Sequence, residues 1–247
     1  MYYRLVTSAQ QRSALMAELT VYSTIGVRSA AEGLFAQFEM ASGHKLAVTW
    51  GTAPMLVKRI EGGETADVLV LSRAGLDALS KQGKVVPGSE VPLASSGVGI
   101  AVKSGAPKPD ISTPEALKQT LLNAKSIAYS EPSAGGASGV YFEKLLERMG
   151  IAAEMRPKTK YPPAGGFTAT LLISGEAELA VQQKPELLHV AGVEIVGMLP
   201  GDLNLITAFA AGLMSDCKHA DTGKALIASL RAPQAVAAFR AKGLDPA

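Results

Sequence analysis

Three short stretches gather hydroxyls, glycines and small residues in a way suited to holding an anion. Ser23-Thr24-Ile25-Gly26-Val27-Arg28 offers two hydroxyls, a glycine beside free backbone N–H groups, and a guanidinium whose fork matches the two oxygens of a carboxylate. Alternatively, Ser23 and Thr24 simply cap a helix and Arg28 is solvated. Trp50-Gly51-Thr52-Ala53-Pro54 adds close backbone approach at Gly51 and a capping hydroxyl at Thr52, with Ala53 beside it. Trp50 reads as packing, and Lys58 and Arg59 beyond it as a solvated face. The richest stretch runs from Ser130 to Tyr141, where Ala137, Ser138 and Gly139 let several N–H groups converge at a helix start. It lacks the Gly-Lys-Ser/Thr of a nucleotide-binding P-loop.

A fourth group consists of Gly165-Gly166 ahead of a helix and Gln183-Lys184 leaving a strand, a neutral donor next to a cation. Glu131 is an acid or base if it faces a ligand, and a cap or surface charge if it does not. Tyr141 points into a cleft or packs under its helix, and spacing does not decide which. No Ser-His-Asp set or pair of spaced carboxylates accompanies these donors. The histidines His44, His189 and His219 stand singly without ligand spacing, and the lone Cys217 forms neither a disulfide nor a zinc cluster. Neither a metal nor another cofactor is expected, and the inventory favours holding an anion over transforming it.

Elements able to position these loops emerge from the hydrophobic pattern. Leu19–Ser23, Lys45–Trp50 and Asp67–Leu71 read as strands, the last of the continuous apolar type found in covered parallel sheets. Helices are expected over 29–40, 54–62 and 74–82, which makes a β-α-β-α-β-α unit and an α/β fold. Pro87-Gly88 and Pro92 interrupt the rhythm. A second unit then begins, with strands over 96–102, 126–130, 178–183 and 193–196, and helices over 113–123, 141–149 and 167–174. A strand over 205–213 and helices over 220–230 and 233–241 close the chain. Expected boundaries are an N-terminal extension over 1–17, one lobe from 18–93 plus 205–247, and a second lobe from 94–204. Each lobe is expected to be a mixed, mostly parallel sheet flanked by helices, with the ligand cleft between lobes. In open α/β sheets, ligands gather where the strands' carboxyl ends meet helix N-termini.

The chain has 247 residues, enough for two such lobes with real cores. Hydrophobic residues make up 47% and charged residues 19%, which excludes a disordered, charge-driven chain. A net charge of +2 without basic runs, and only 5% aromatics, give no footprint for nucleic acid. No uninterrupted apolar run forms an export signal or a membrane helix, so a cytoplasmic location is expected, with Met1 or Met16 as the start. A monomer acting on a small anionic ligand is expected.

Taken in order, these segments resemble the molybdate-binding-protein-like group of type II periplasmic solute-binding proteins, from about Leu19 to Gly243. The most specific pieces are Leu56–Gly63 leading to Ala66-Asp67-Val68, then Tyr129–Pro132 to Gly139-Val140-Tyr141, and Gly175–Val181. The resemblance implies a two-lobed hinged fold that closes on a small oxyanion and hands it to the membrane permease of an ABC transporter, which would place the protein in the periplasm. The group's first-loop serine falls on Gly26, its serine-rich second loop becomes Gly51-Thr52-Ala53-Pro54, its third loop is one residue longer here, and its tyrosine falls near Gln183. With Arg28 added, a di- or tricarboxylate fits as well as molybdate. Some proteins similar to this group are isomerases of tricarboxylates such as aconitate; for that chemistry Glu131, Tyr141 and Lys184 are the candidate groups. An intracellular anion sensor is a further alternative.

Overall fold

The computed structural model describes residues 16–134, 136–163 and 165–247. The expected N-terminal extension lies almost wholly outside them. The chain builds two mixed sheets, and its strands and helices alternate where the hydrophobic period switches between two and about 3.6.

The first sheet contains β1 (Glu18–Thr24), β2 (Lys45–Gly51), β3 (Val68–Ser72), β4 (Val91–Ser96), β10 (Thr207–Leu213) and β11 (Asp245–Pro246), in the order β11-β4-β10-β3-β1-β2. Strands β1, β2 and β3 are parallel, and β10 inserts antiparallel between β3 and β4. Alternation in β3 explains its continuous apolar reading. Val68 and Val70 face a core with Phe35, Phe38 and Phe239, while Leu69 and Leu71 face Leu56, Ile60 and Leu76. The first core is roofed by α1 (Arg28–Ser42), α9 (Ala220–Ser229) and α10 (Pro233–Ala241); the second by α2 (Ala53–Glu61) and α3 (Arg73–Lys81).

The second sheet has the order β7-β6-β8-β5-β9, from β5 (Val98–Lys103), β6 (Ile127–Tyr129), β7 (Thr159–Lys160), β8 (Leu179–Gln183) and β9 (Val193–Met198). One face packs under α4 (Pro114–Asn123), α5 (Ala137–Arg148) and α6 (Ala152–Met155) through Leu117, Leu121, Phe142 and Met155. The other packs under α7 (Thr170–Ser174) and α8 (Lys184–Leu187) through Leu171, Leu172 and Leu187.

Two differences from the sequence reading concern the crossovers. Pro92 reads as an interruption, yet it lies in β4, opposite Ala210 at a register shift in β10. A bulge tolerates proline because the ladder locally needs no N–H. The chain therefore changes sheets after Ser96, at Gly97, rather than after Leu93. The two crossovers are tied together: the Val98 N–H donates to Asn204 Oδ1 at 2.9 Å. The Gln183 amide spans both: with its orientation assigned from its neighbours, the nitrogen donates to the carbonyls of Ser96 (3.0 Å) and Gly97 (3.2 Å) and the oxygen accepts from the Thr207 hydroxyl (2.9 Å). Helix α5 also starts earlier than the expected Tyr141, because Gly136 and the small residues after it pack closely against the turn beyond β6.

Candidate functional site

The parallel register of the first sheet sets three hydroxyls along one edge. Thr24 pairs with Gly51 at the ends of β1 and β2, so Thr24 and Thr52 leave the sheet side by side. Ser72 ends β3 next to them. Each hydroxyl caps the helical turn after its strand: Thr24 Oγ1 accepts from Gly26 N–H (3.5 Å), Thr52 Oγ1 from Met55 N–H (3.4 Å) and Ser72 Oγ from Gly75 N–H (3.3 Å). The capping reading and the site reading of these residues thus hold together. From the second sheet, β6 ends at Ser130 and β8 at Gln182 and Gln183. Helix α5 enters through Gly136, whose N-cap position supplies no side-chain hydrogen bond.

These ends enclose a cleft of about 130 Å³ between the two sheets. Thr24, Gly26, Thr52, Ala53, Ser72 and Phe209 line it from the first sheet's side; Ser130, Glu131, Ala137, Ser138, Gly166, Gln182, Gln183 and Glu186 from the other, with Thr207 at the crossover. The N-termini of α2, α3 and α5 all open onto it, and aligned peptide dipoles there favour negative charge. None of the described lining residues is Lys, Arg or His. Among the described residues no group of three His, Cys, Asp or Glu side chains is gathered to hold a metal ion.

Six residues expected at the site stand off it. Arg28 binds Glu32 instead (Nε to Oε1, 2.7 Å), and its guanidinium lies 5.3 Å over the Trp50 ring, outside the cleft. Ser23 is fully buried, because strand alternation puts it on the core side of β1 with Val21; its Oγ has no partner among the described residues. Gly51 packs beneath Met55 and Leu56 of α2, and Gly139 lies directly under the Ser130 carbonyl, where any Cβ would collide. The Tyr141 hydroxyl donates to the Leu203 carbonyl (3.0 Å) and its ring joins the second lobe's core. Lys184 lies alongside Gly243, away from the cleft. Gln183 lines the cleft, but its amide is taken up by the two crossovers.

The Gly26 departure has a physical reason: a Cβ there would sit 2.8 Å from the Phe209 ring. Phe209 thus occupies the room that a side chain at residue 26 would use. Burial pushes the Cys217 thiol up to about 11, which disfavours the thiolate form.

Sequence reasoning missed Ser72, Gln182, Glu186, Thr207 and Phe209. Glu186 is the most consequential. It is 6% exposed, and burial pushes its carboxyl up to about 7, against the opposing pull of the Gln183 backbone and the Gln182 side chain. Gln182 is itself buried and ties the loops together. Its Oε1 accepts from the Thr168 N–H (2.8 Å) and hydroxyl (3.0 Å), while Nε2 donates to Ser130 Oγ (3.4 Å) and the Gly166 carbonyl (3.3 Å). Lys184-Pro185-Glu186 after a strand carries a helix-start signature, proline in the first turn with an acid behind it, that could have flagged this position.

Comparison with known proteins agrees with this architecture. Aconitate isomerase from a Pseudomonas species is 36% identical over 234 residues, covering 92% of this chain and 87% of that protein. The periplasmic molybdate-binding protein of Azotobacter vinelandii superposes with a TM-score of 0.72 at 19% identity, covering 92% of this chain and 98% of that one. The substrate-binding domain of a putative molybdenum ABC transporter from Clostridium difficile gives 0.71 at 15% identity, with 94% and 99% covered. The profile of the bacterial extracellular solute-binding proteins matches residues 19–245, and the chain belongs to that family.

Proposed function

We propose that this protein closes on a small di- or tricarboxylate and isomerises it, as in the interconversion of cis- and trans-aconitate. The observation that carries the reading is the company the cleft keeps. Hydroxyls, amides and three helix N-termini suit an anion, yet two carboxyl groups, Glu131 and Glu186, share the same wall. A pure anion receptor is weakened by carboxylates facing its guest, through like-charge repulsion in a poorly solvated cleft. A proton-transfer enzyme needs such a group next to the substrate carbon. The 36% identical aconitate isomerase supports the same substrate class.

The chemistry asks little beyond holding and one proton. A proton leaves the methylene carbon beside a carboxylate, and the C–H electron pair spreads over the allylic system and its carboxylates. A new C–H bond then forms at the other end. Helix N-termini and hydroxyls aimed at the carboxylates stabilise the extra negative charge as it develops.

Incubating the purified protein with cis-aconitate and tracking the olefinic protons by NMR tests this. Growth of the trans isomer to equilibrium supports it; unchanged substrate under conditions where the protein stays folded refutes it. A second reading is favoured by the family and the fold: capture of a small anion outside the cytoplasmic membrane for delivery to a transporter. It predicts tight binding of the same anions with no conversion.

A further inference from the structure

The isomerase reading leaves open which group moves the proton. The sequence offers Glu131, Tyr141 and Lys184, but Tyr141 and Lys184 point elsewhere, which leaves Glu131 and the unforeseen Glu186 on the cleft wall. The two differ in setting. Glu131 is exposed at the rim, whereas Glu186 is sunk at the start of α8 with 6% exposure.

We propose that Glu186 is the catalytic base of this cleft; the proposal rests on the isomerase reading. The ionised carboxylate takes the proton from the substrate's methylene carbon, the C–H bond breaks and its electron pair enters the allylic system. The resulting carboxylic acid then supplies the proton that completes the new C–H bond at the far end. Atoms and charge balance without any oxidant, metal or further co-reactant.

Three features of the setting favour Glu186. Its place inside the water-poor wall keeps the proton from exchanging rapidly with solvent during the step. Its carboxyl, held near 7, is poised to accept and release a proton close to neutral pH, which is where a general base works best. The wall around it is fixed, since Gln182 of the same cleft is anchored to Ser130 in one loop and to Gly166 and Thr168 in another.

The charged groups around α8 leave this titration to Glu186. Its packing partners are β8, β5, β9 and the 3-10 turn Ile25–Val27. Strand β8 and the turn carry no titratable side chain. On β5, Lys103 lies at the far end from Val98, which pairs with Gln183; on β9, Glu194 is paired with Lys108 (3.1 Å). On α8 itself Lys184 turns toward Gly243, His189 just beyond stacks on Phe167 at 4.4 Å, and Glu131 is exposed at the rim of the same wall.

The test compares Glu186→Gln, Glu186→Asp and Glu131→Gln by aconitate turnover against pH and by calorimetric binding of tricarballylate, the saturated tricarboxylate that cannot isomerise. Glu186→Gln is expected to lose about 10²- to 10⁴-fold in kcat while still binding tricarballylate. Glu186→Asp is expected to retain some turnover with the acid limb of kcat/KM moved from its position near pH 7. Glu131→Gln keeps the wild-type limb. A wild-type measurement stands apart from any variant's folding: above neutral pH, tricarballylate binding draws a proton onto the carboxyl facing it, seen as a buffer-dependent binding enthalpy. Full turnover with an unmoved limb in Glu186→Gln, or a limb that tracks Glu131 instead, overturns the assignment alone. Wild-type protein that binds tricarballylate but converts no aconitate overturns the isomerase reading, and the assignment with it.

Discussion

Replacing Glu186 by Gln should stabilise the protein, and only at neutral to alkaline pH. The side chains are nearly isosteric, so packing against β8 and β5 is retained and the change is mainly one of charge. Burial lifts the folded-state carboxyl from 4.5 to about 7, so the folded protein binds this proton more tightly than the unfolded chain. The wild type then loses stability as pH rises from 4.5 toward 7, and above that the full penalty of an ionised buried carboxyl applies. At about 1.4 kcal/mol per pH unit, that penalty is about 3 kcal/mol. Glutamine carries none of it. Between about pH 5 and about pH 8 the stability gap between variant and wild type should widen by about 2–3 kcal/mol in favour of the variant. For a chain of this length the corresponding gap in Tm is roughly 5–10 °C. Urea or thermal unfolding of both proteins at the two pH values measures it, and all other titrations cancel in the difference. A gap that stays constant with pH, or a variant that becomes relatively weaker at high pH, refutes the claim that this carboxyl is buried and strained. A stability cost concentrated at a cleft residue is the mark of a functional constraint.

Arg28→Ala should leave tricarballylate affinity within about twofold, because Arg28 serves an exposed pair with Glu32 worth under about 1 kcal/mol; a tenfold loss by calorimetry would return Arg28 to the site. Gly139→Ala forces a methyl into the Ser130 carbonyl and should cost about 1–3 kcal/mol in urea unfolding while weakening ligand binding; a wild-type midpoint contradicts this. Thr52→Ala removes the α2 cap at a cleft-lining position and should cost about 1 kcal/mol of stability together with a rise in Kd for tricarballylate, and a change in stability alone would remove Thr52 from the site.

Much of the fold was legible because periodicity speaks plainly where burial is one-sided or complete. Val68 to Leu71 read as a covered strand since both its faces meet cores, and Ser29 to Met40 read as a helix from one apolar stripe. Pro92 hid β4, since a bulge in a neighbouring strand, which makes the proline tolerable, cannot be read locally. The site was half legible for the same reason. Thr24, Thr52 and Ser138 line the cleft as the sequence leads one to expect, because strand-loop-helix junctions face clefts in α/β folds. Arg28 was misplaced because its partner Glu32, one helical turn away, and Trp50 across the strand hold it on the outer face. Ser72 obeys the same junction rule as Thr24 and Thr52, but it closes the apolar run of β3, which masks it as a junction residue. Gln182 and Glu186 were invisible as chemistry: their meaning depends on Thr168, Ser130 and Gly166, brought together from distant parts of the chain.

The position of a bound tricarboxylate tests the central claim most directly. A crystal structure of the wild-type protein with tricarballylate should show the ligand between the two sheets, its carboxylates on Thr24, Thr52, Ser138 and the first turns of α2 and α5, with the Glu186 carboxyl within hydrogen-bond reach of it. A ligand bound elsewhere, or held in the cleft with Glu186 turned away and separated from it by other side chains, would contradict the claim.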